Sequence, residues 1–262
     1  MSWWGKVLGG AFGWMLGGPL GALIGAALGH NLDRKVDSLG LGGFAPGEQQ
    51  RVQTAFFTAL FSVMGHVAKA DGRVSEDEIQ IAKAMMDRLG LNEEMRQAAI
   101  RLFNEGKRAD FPLDEVLDQF KTEVRRRRNL ERMFLELLLQ AALADGRMDP
   151  AERRLLLRVS QRLGFSAAEF EQLEAMIGAA RGFGSRARAS RTDTLAEAYK
   201  VLSVSPEASD AEVKKAYRRL MSQHHPDKLV AKGLPEEMMK VAAERTHEIR
   251  TAYERIREAR GF

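Results

Sequence analysis

Tyr217-Arg-Arg-Leu-Met-Ser-Gln-His-His-Pro-Asp-Lys228 is the stretch from which the rest of this chain is read. A basic amphipathic helix runs into His225-Pro226-Asp227 and stops there. Pro226 disfavours the helical conformation at His225 and does not continue a helix as an interior residue. Asp227 suits a turn, because its carboxylate bonds nearby backbone amides. The three residues therefore fall on an exposed corner between helices. A tripeptide recurs by chance, so its setting carries the information. Upstream, Ser209 with Glu212 three residues on forms a capping box. From there Val213, Ala216, Tyr217 and Leu220 make an inward stripe, while Lys214, Lys215, Arg218 and Arg219 face outward.

Leu195, Ala198, Tyr199 and Leu202 share one face of a shorter helix, and Pro206 and Ala208 mark the turn after it. Beyond the corner, a loop through Gly233-Leu-Pro235 leads to a third helix. This helix places Met238, Ala242, Ile249, Ala252, Tyr253 and Ile256 on its buried side. The expected unit, 194–262, is an antiparallel helical hairpin with a short helix packed across it, near the lower size limit for independent stability. The small, basic, poorly patterned run from Gly182 to Ser190 reads as a linker, bounded at 183–193.

Residues 48–182 repeat themselves. Ala70-Asp-Gly-Arg73 recurs as Ala144-Asp-Gly-Arg147, and Leu89-Gly-Leu91 recurs as Leu163-Gly-Phe165 at the same offset. Each copy reads as helix, Ala-Asp-Gly-Arg turn, helix, Leu-Gly turn, helix. Ser75 with Glu78, Asp149 with Pro150 and Glu152, and Ser166 with Glu169 are helix starts of capping-box type. Phe56, Leu60, Val63, Met64 and Val67 fall at helical spacing, as do Phe134, Leu137, Leu138 and Ala141. Asp71 and Asp145 sit among other acids, but without the alternating oxygen ligands and terminal glutamate of a calcium loop. Turn and cap chemistry accounts for them.

The N-terminal segment, 1–30, is of another kind. Val7 to Gly29 contains no charged side chain and, at about 1.5 Å per helical residue, reaches roughly 35 Å, enough for a bilayer core. Trp3 and Trp4 stand where interfacial anchors belong. A cleaved signal peptide has a shorter apolar region, so length and flanks favour a single uncleaved transmembrane helix at about 7–29. Gly9, Gly13, Gly17, Gly21 and Gly25 recur at every fourth position. That spacing lets two helices approach closely in lipid and points to a homodimer, although the stripe drifts about 40° per glycine and only part of it shares a face. Residues 31–47 connect the span to the rest.

Composition narrows the remaining classes. Of 262 residues, 45% are hydrophobic and 29% charged, as in a folded protein, and only 7 prolines interrupt an all-α pattern. With no cysteine there is no disulfide framework, thiolate metal site or cysteine nucleophile. Lys and Arg total 40 against 36 Asp and Glu, a mixed solvated surface. The run Arg125 to Arg128 lacks the interleaved aromatics of a single-strand binder, so no nucleic acid is assigned. His224, His225 and Asp227 have poor spacing for a metal site and no further ligand cluster. No cofactor and no enzymatic activity of the chain itself are expected.

Leu195 to Tyr253 resembles a J-domain, the part of Hsp40-type proteins that engages Hsp70 chaperones. The residues that carry the resemblance are Tyr199-Lys-Val-Leu202, Ser205-Pro-Glu-Ala-Ser209, Glu212 to Leu220, His225-Pro-Asp-Lys228 and Ala252-Tyr253. Ser203 stands where a glycine is usual. The duplicated region resembles a TerB-like domain, and through that resemblance Asp71 and Asp145 stay as the candidates for a metal. The whole layout of anchor, TerB-like domain and C-terminal J-domain resembles the DnaJ-like membrane protein A (DjlA) family. The resemblance implies a membrane-anchored co-chaperone of a cytosolic, DnaK-type Hsp70. Lys214, Lys215, Arg218, Arg219 and Lys228 would dock on an acidic surface of the partner, and His225, Pro226 and Asp227 would trigger its ATP hydrolysis. Because Hsp70 and ATP are cytosolic, the implied topology is a bacterial inner membrane protein with a periplasmic amino terminus and cytoplasmic C-terminal domains. The alternative is a membrane-tethered TerB-like metal or stress-sensing scaffold in which the J-domain is accessory.

Overall fold

The computed structural model describes residues 48–70, 83–144, 148–185, 191–235 and 238–262, and these are helical or in turns, with no strand among them. In the middle domain the labelled helices are α1 (Glu48–Ala68), α2 (Glu93–Gly106), α3 (Leu113–Glu123), α4 (Arg128–Ala142), α5 (Pro150–Arg162) and α6 (Ala167–Ser185). The C-terminal unit contains α7 (Arg191–Leu202), α8 (Asp210–His224), α9 (Pro226–Val230) and α10 (Met239–Arg260). Residues 83–88 add a helical turn before α2. Val7 to Gly29, the five glycines assigned to self-association, and Asp71 and Asp145 lie outside the described residues. Among the described residues no helix is long and apolar enough to cross a membrane.

Local chemistry sets the helix ends where the spacing predicts. The Asp149 box closes on α5, with the Asp149 amide donating to Glu152 at 3.0 Å and Pro150 in the first turn. In the Ser209 box, the Ser209 amide donates to Glu212 at 2.7 Å and the Glu212 amide donates to Ser209 Oγ at 3.3 Å. The two Leu-Gly turns are copies in three dimensions also. Gly90 and Gly164 have φ of 64° and 85°. The following amides, of Leu91 and Phe165, reach back to the carbonyls of Met86 and Ser160. This left-handed cap satisfies helix-end carbonyls and suits glycine.

The middle domain is wrapped around α1, which packs on α2, α3, α4 and α5. Phe56, Leu60, Val63, Met64 and Val67 are buried, and Phe56 meets Phe120 and Phe134 in an aromatic cluster with centroids 4.4 to 5.9 Å apart. Gly65 and Gly106 set the approach of α1 to α2. A Cβ on either would fall well inside contact distance of the Phe103 or Ser62 carbonyl oxygen, so the helices touch backbone to backbone. Arg128 is exposed yet fully engaged: it donates to the Leu163 and Gly164 carbonyls and lies 3.5 Å over the Phe165 ring. One end of the arginine run is thus a helix-end clamp.

The C-terminal unit has the expected hairpin, with α8 against α10 and α7 across them. Ala198, Leu202, Val213, Leu220, Ile249, Ala252 and Ile256 are buried together, and Tyr217 stacks on Tyr253 at 4.2 Å. Two things differ from a free-standing hairpin. The end of α6 contributes Ala179 to this core, and α6 runs to Ser185, inside the stretch read as a linker. In addition, α10 is shared between two cores. Its Ile249, Ala252 and Ile256 serve the hairpin, whereas Met238, Val241 and Ala242 join the core of the middle domain. Met238 and Ala242 are buried as expected, but in the core of the middle domain rather than that of the hairpin.

Candidate functional site

His225 has φ −60° and ψ 122°, which ends α8 and makes His225 the N-cap of α9, with Pro226 at its first position. Proline fits there because the first turn of a helix has no use for its missing N–H. The peptide closes at once: the Leu229 amide donates to the His225 carbonyl at 3.1 Å, and that of Ala231 to the Asp227 carbonyl at 2.9 Å. The corner is therefore a short helix where the sequence predicts a loop. The side chains of His225 and Asp227 are exposed and Pro226 is half-buried. Lys228 turns back, its Nζ donating to Ser222 Oγ at 2.9 Å, which ties the start of α9 to the end of α8.

Lys215, Arg218 and Arg219 are exposed on α8, and among the described residues none of them forms an ion pair. Lys214 is half-buried and sits 4.7 Å over the Phe262 ring. The exposed cations lie on the helix that ends at the corner, and Lys228 ties back to that helix at Ser222.

The inner side of the corner is closed. His224 is only 2% exposed and its Nδ1 lies 3.6 Å from Oε2 of Glu136, a fully buried α4 residue. Glu136 accepts from Arg132 at 2.9 Å, and Arg245, buried on α10, adds a second guanidinium nearby. Burial pushes the His224 imidazole down to about 4 although Glu136 pulls it up. Burial also works against the Glu136 carboxylate, but the positive groups around it, His224, Arg245 and Arg132, hold it below the usual range. A neutral His224 contributes little to that balance at neutral pH, so the two guanidiniums are the groups that keep Glu136 ionised. His224 and His225, adjacent in sequence, face opposite ways and do not converge on one ion. No cluster of three metal-ligating side chains occurs among the described residues.

Two supports of this unit carry no motif. Arg260 donates to Tyr199 Oη at 2.6 Å and to the Pro206 and Ala208 carbonyls at 2.5 and 2.6 Å, pinning the turn after α7. Ser203 has φ 54°, the left-handed position that a glycine there would adopt freely, so the serine keeps the turn under strain rather than changing it.

A helical hairpin crossed by a short helix, with an exposed His-Pro-Asp corner and a cationic flank, defines a J-domain, and the family model described as DnaJ domain matches residues 197–260. Residues 57–175 match the model for tellurite resistance protein TerB, and residues 1–51 match the co-chaperone DjlA transmembrane domain. The chain is 47% identical over 279 residues to the co-chaperone protein DjlA of Vibrio parahaemolyticus, covering 98% of each chain. The DjlA proteins of Vibrio cholerae and Yersinia pestis are 47% and 43% identical, covering 98% and 100% of each chain. The chain belongs to the DjlA co-chaperone family. No solved structure matches it. It is accordingly a J-domain co-chaperone with a membrane-anchoring domain, whose partner class is Hsp70 and which regulates rather than catalyses. The relatives' name does not favour the scaffold in which the J-domain is accessory.

Proposed function

We propose that His225, Pro226 and Asp227 are the activating contact with a cytosolic DnaK-type Hsp70, and that Lys214, Lys215, Arg218, Arg219 and Lys228 form the docking flank. The observation that carries this reading is the pairing of an exposed, backbone-closed corner with exposed Lys215, Arg218 and Arg219, which form no ion pair among the described residues. Such charge steers encounter with an acidic surface, and its contribution fades as salt rises. The corner then supplies a fixed geometry at the point of contact. The chain is a single-pass protein of the inner membrane, with its amino terminus in the periplasm and the J-domain on the side that holds ATP. Gly9, Gly13, Gly17, Gly21 and Gly25 pair two spans.

The test is single-turnover ATP hydrolysis by the Hsp70 of the same cell. The parent chain accelerates hydrolysis, and His225→Gln abolishes the acceleration with unchanged helix content. Equal stimulation by the variant removes the assigned role of the corner.

A further inference from the structure

The corner has an inner side that the co-chaperone reading does not use. Leu229 and Leu234, just past it, and Met238, Val241 and Ala242 at the start of α10 are buried in one apolar core with Phe56, Phe134 and Leu138 of the middle domain. At the edge of this contact, Arg88 donates to Glu244 at 2.6 Å and to Gln140 at 2.8 Å, joining α10 to α4. Gly233, with φ 95°, lies so close to Val52 of α1 that a Cβ would be 2.7 Å from its methyl. In the centre of the contact lie charges. His224, Glu136 and Arg245 are 2%, 0% and 2% exposed. Both ring nitrogens of His224, Oε2 of Glu136, and Nε and one terminal nitrogen of Arg245 make no hydrogen bond.

A buried cluster with so few direct bonds depends on charge balance and on packing. Glu136 is the acid that faces His224 and Arg245 from the middle domain. Arg245 donates to Glu248, half-exposed on α10 itself, at 2.5 Å, and acts on Glu136 through charge. Removing one partner of a buried ionic group leaves the other uncompensated, which costs far more than losing a surface pair. His224 is the residue immediately before the corner, and Arg245 lies on α10, which packs directly against α9. His225, Asp227, Lys215, Arg218 and Arg219 stay exposed in this arrangement, so the middle domain does not cover them.

We propose that Glu136 is a positioning residue for the His225-Pro226-Asp227 corner: by balancing Arg245 and seating His224 in a shared core, it lets the middle domain fix the corner and so set how strongly the J-domain activates its partner. The inference rests on the reading of that corner as the activating contact.

The full chain, reconstituted in liposomes, is assayed with purified Hsp70 over a range of chain concentrations. Glu136→Gln lowers the maximal stimulation by roughly threefold or more. The concentration giving half of that maximum changes little, because the cationic flank is untouched. Arg218→Ala does the reverse. Hydrogen exchange at the Leu229 and Ala231 amides speeds up by roughly an order of magnitude in Glu136→Gln, while the amides of α1 keep their protection. A second variant guards against simple misfolding. Glu136→Leu combined with Arg245→Met replaces the charges by apolar groups and restores both protection and stimulation. Parental stimulation by Glu136→Gln, or a double variant that regains protection without stimulation, overturns the positioning role. If His225→Gln itself still stimulates, the reading of the corner fails instead.

Discussion

Acid weakens this fold through His224, and the structure sets the window. The imidazole is 2% exposed and its affinity for a proton is pushed from the ordinary 6.5 down to about 4, chiefly by burial. A group whose folded value lies below its unfolded value is protonated first in the unfolded chain, so stability is lost as pH falls. The loss begins near pH 6.5 and is complete below about 4. At roughly 1.4 kcal/mol per unit of difference, the full effect is about 3 kcal/mol, of which about 2 kcal/mol has appeared by pH 5. His66 is shifted in the same direction by burial and adds to the slope, and Glu136 joins only in stronger acid. Urea denaturation followed by circular dichroism at pH 8, 6 and 5 gives the parent curve. His224→Leu removes the titration while keeping an apolar group in the core, so its stability falls less between pH 8 and 5, by about 2 kcal/mol. If both proteins lose the same stability over that range, His224 is not held neutral in the fold and the argument from burial is wrong.

Further outcomes follow from the backbone. Ser203→Gly relieves a left-handed φ of 54° and removes a buried hydroxyl that lacks a partner, so it raises stability by roughly 0.5–1 kcal/mol in thermal melts; a lower melting temperature counts against strain at that turn. Gly106→Ala forces α2 away from the Ser62 carbonyl and destabilises the middle domain by roughly 2 kcal/mol or more by urea denaturation, and a neutral result would show that the helices do not touch there. Gly17→Leu and Gly21→Leu weaken self-association of the chain in membranes, measured by crosslinking; unchanged crosslinking removes the glycine pairing.

Much of the fold was legible because it is written in local rules. Capping boxes act over three residues, left-handed glycines act at a single φ, and an apolar stripe repeats every three or four residues, so Ser209 with Glu212, Gly90, Gly164 and the inward face of α8 are found without a partner in view. The outward half of the site was legible for the same reason. A proline after a basic helix dictates a corner, and the exposed cations of α8 follow from its periodicity. Arg260 was not legible, since one terminal arginine among many has no mark of its own, and its partners Tyr199, Pro206 and Ala208 are brought to it by the hairpin.

What the sequence by itself determined is therefore the all-α class, the capped helix starts, the duplication and the exposed corner, but not the short helices Leu113–Glu123 and Pro226–Val230 or the reach of α6 to Ser185. What only the tertiary structure decided is which apolar surfaces meet. A stripe states that Met238 and Ala242 are buried but not against what, and the answer is the middle domain rather than the hairpin. His224 looked like a second polar residue beside His225. It is buried because α4 brings Glu136 to it across the chain, and burial by a distant element leaves no periodic trace. Local propensity specifies elements; the pairing of their faces depends on contacts between residues far apart in sequence, and those contacts join the J-domain to the domain before it.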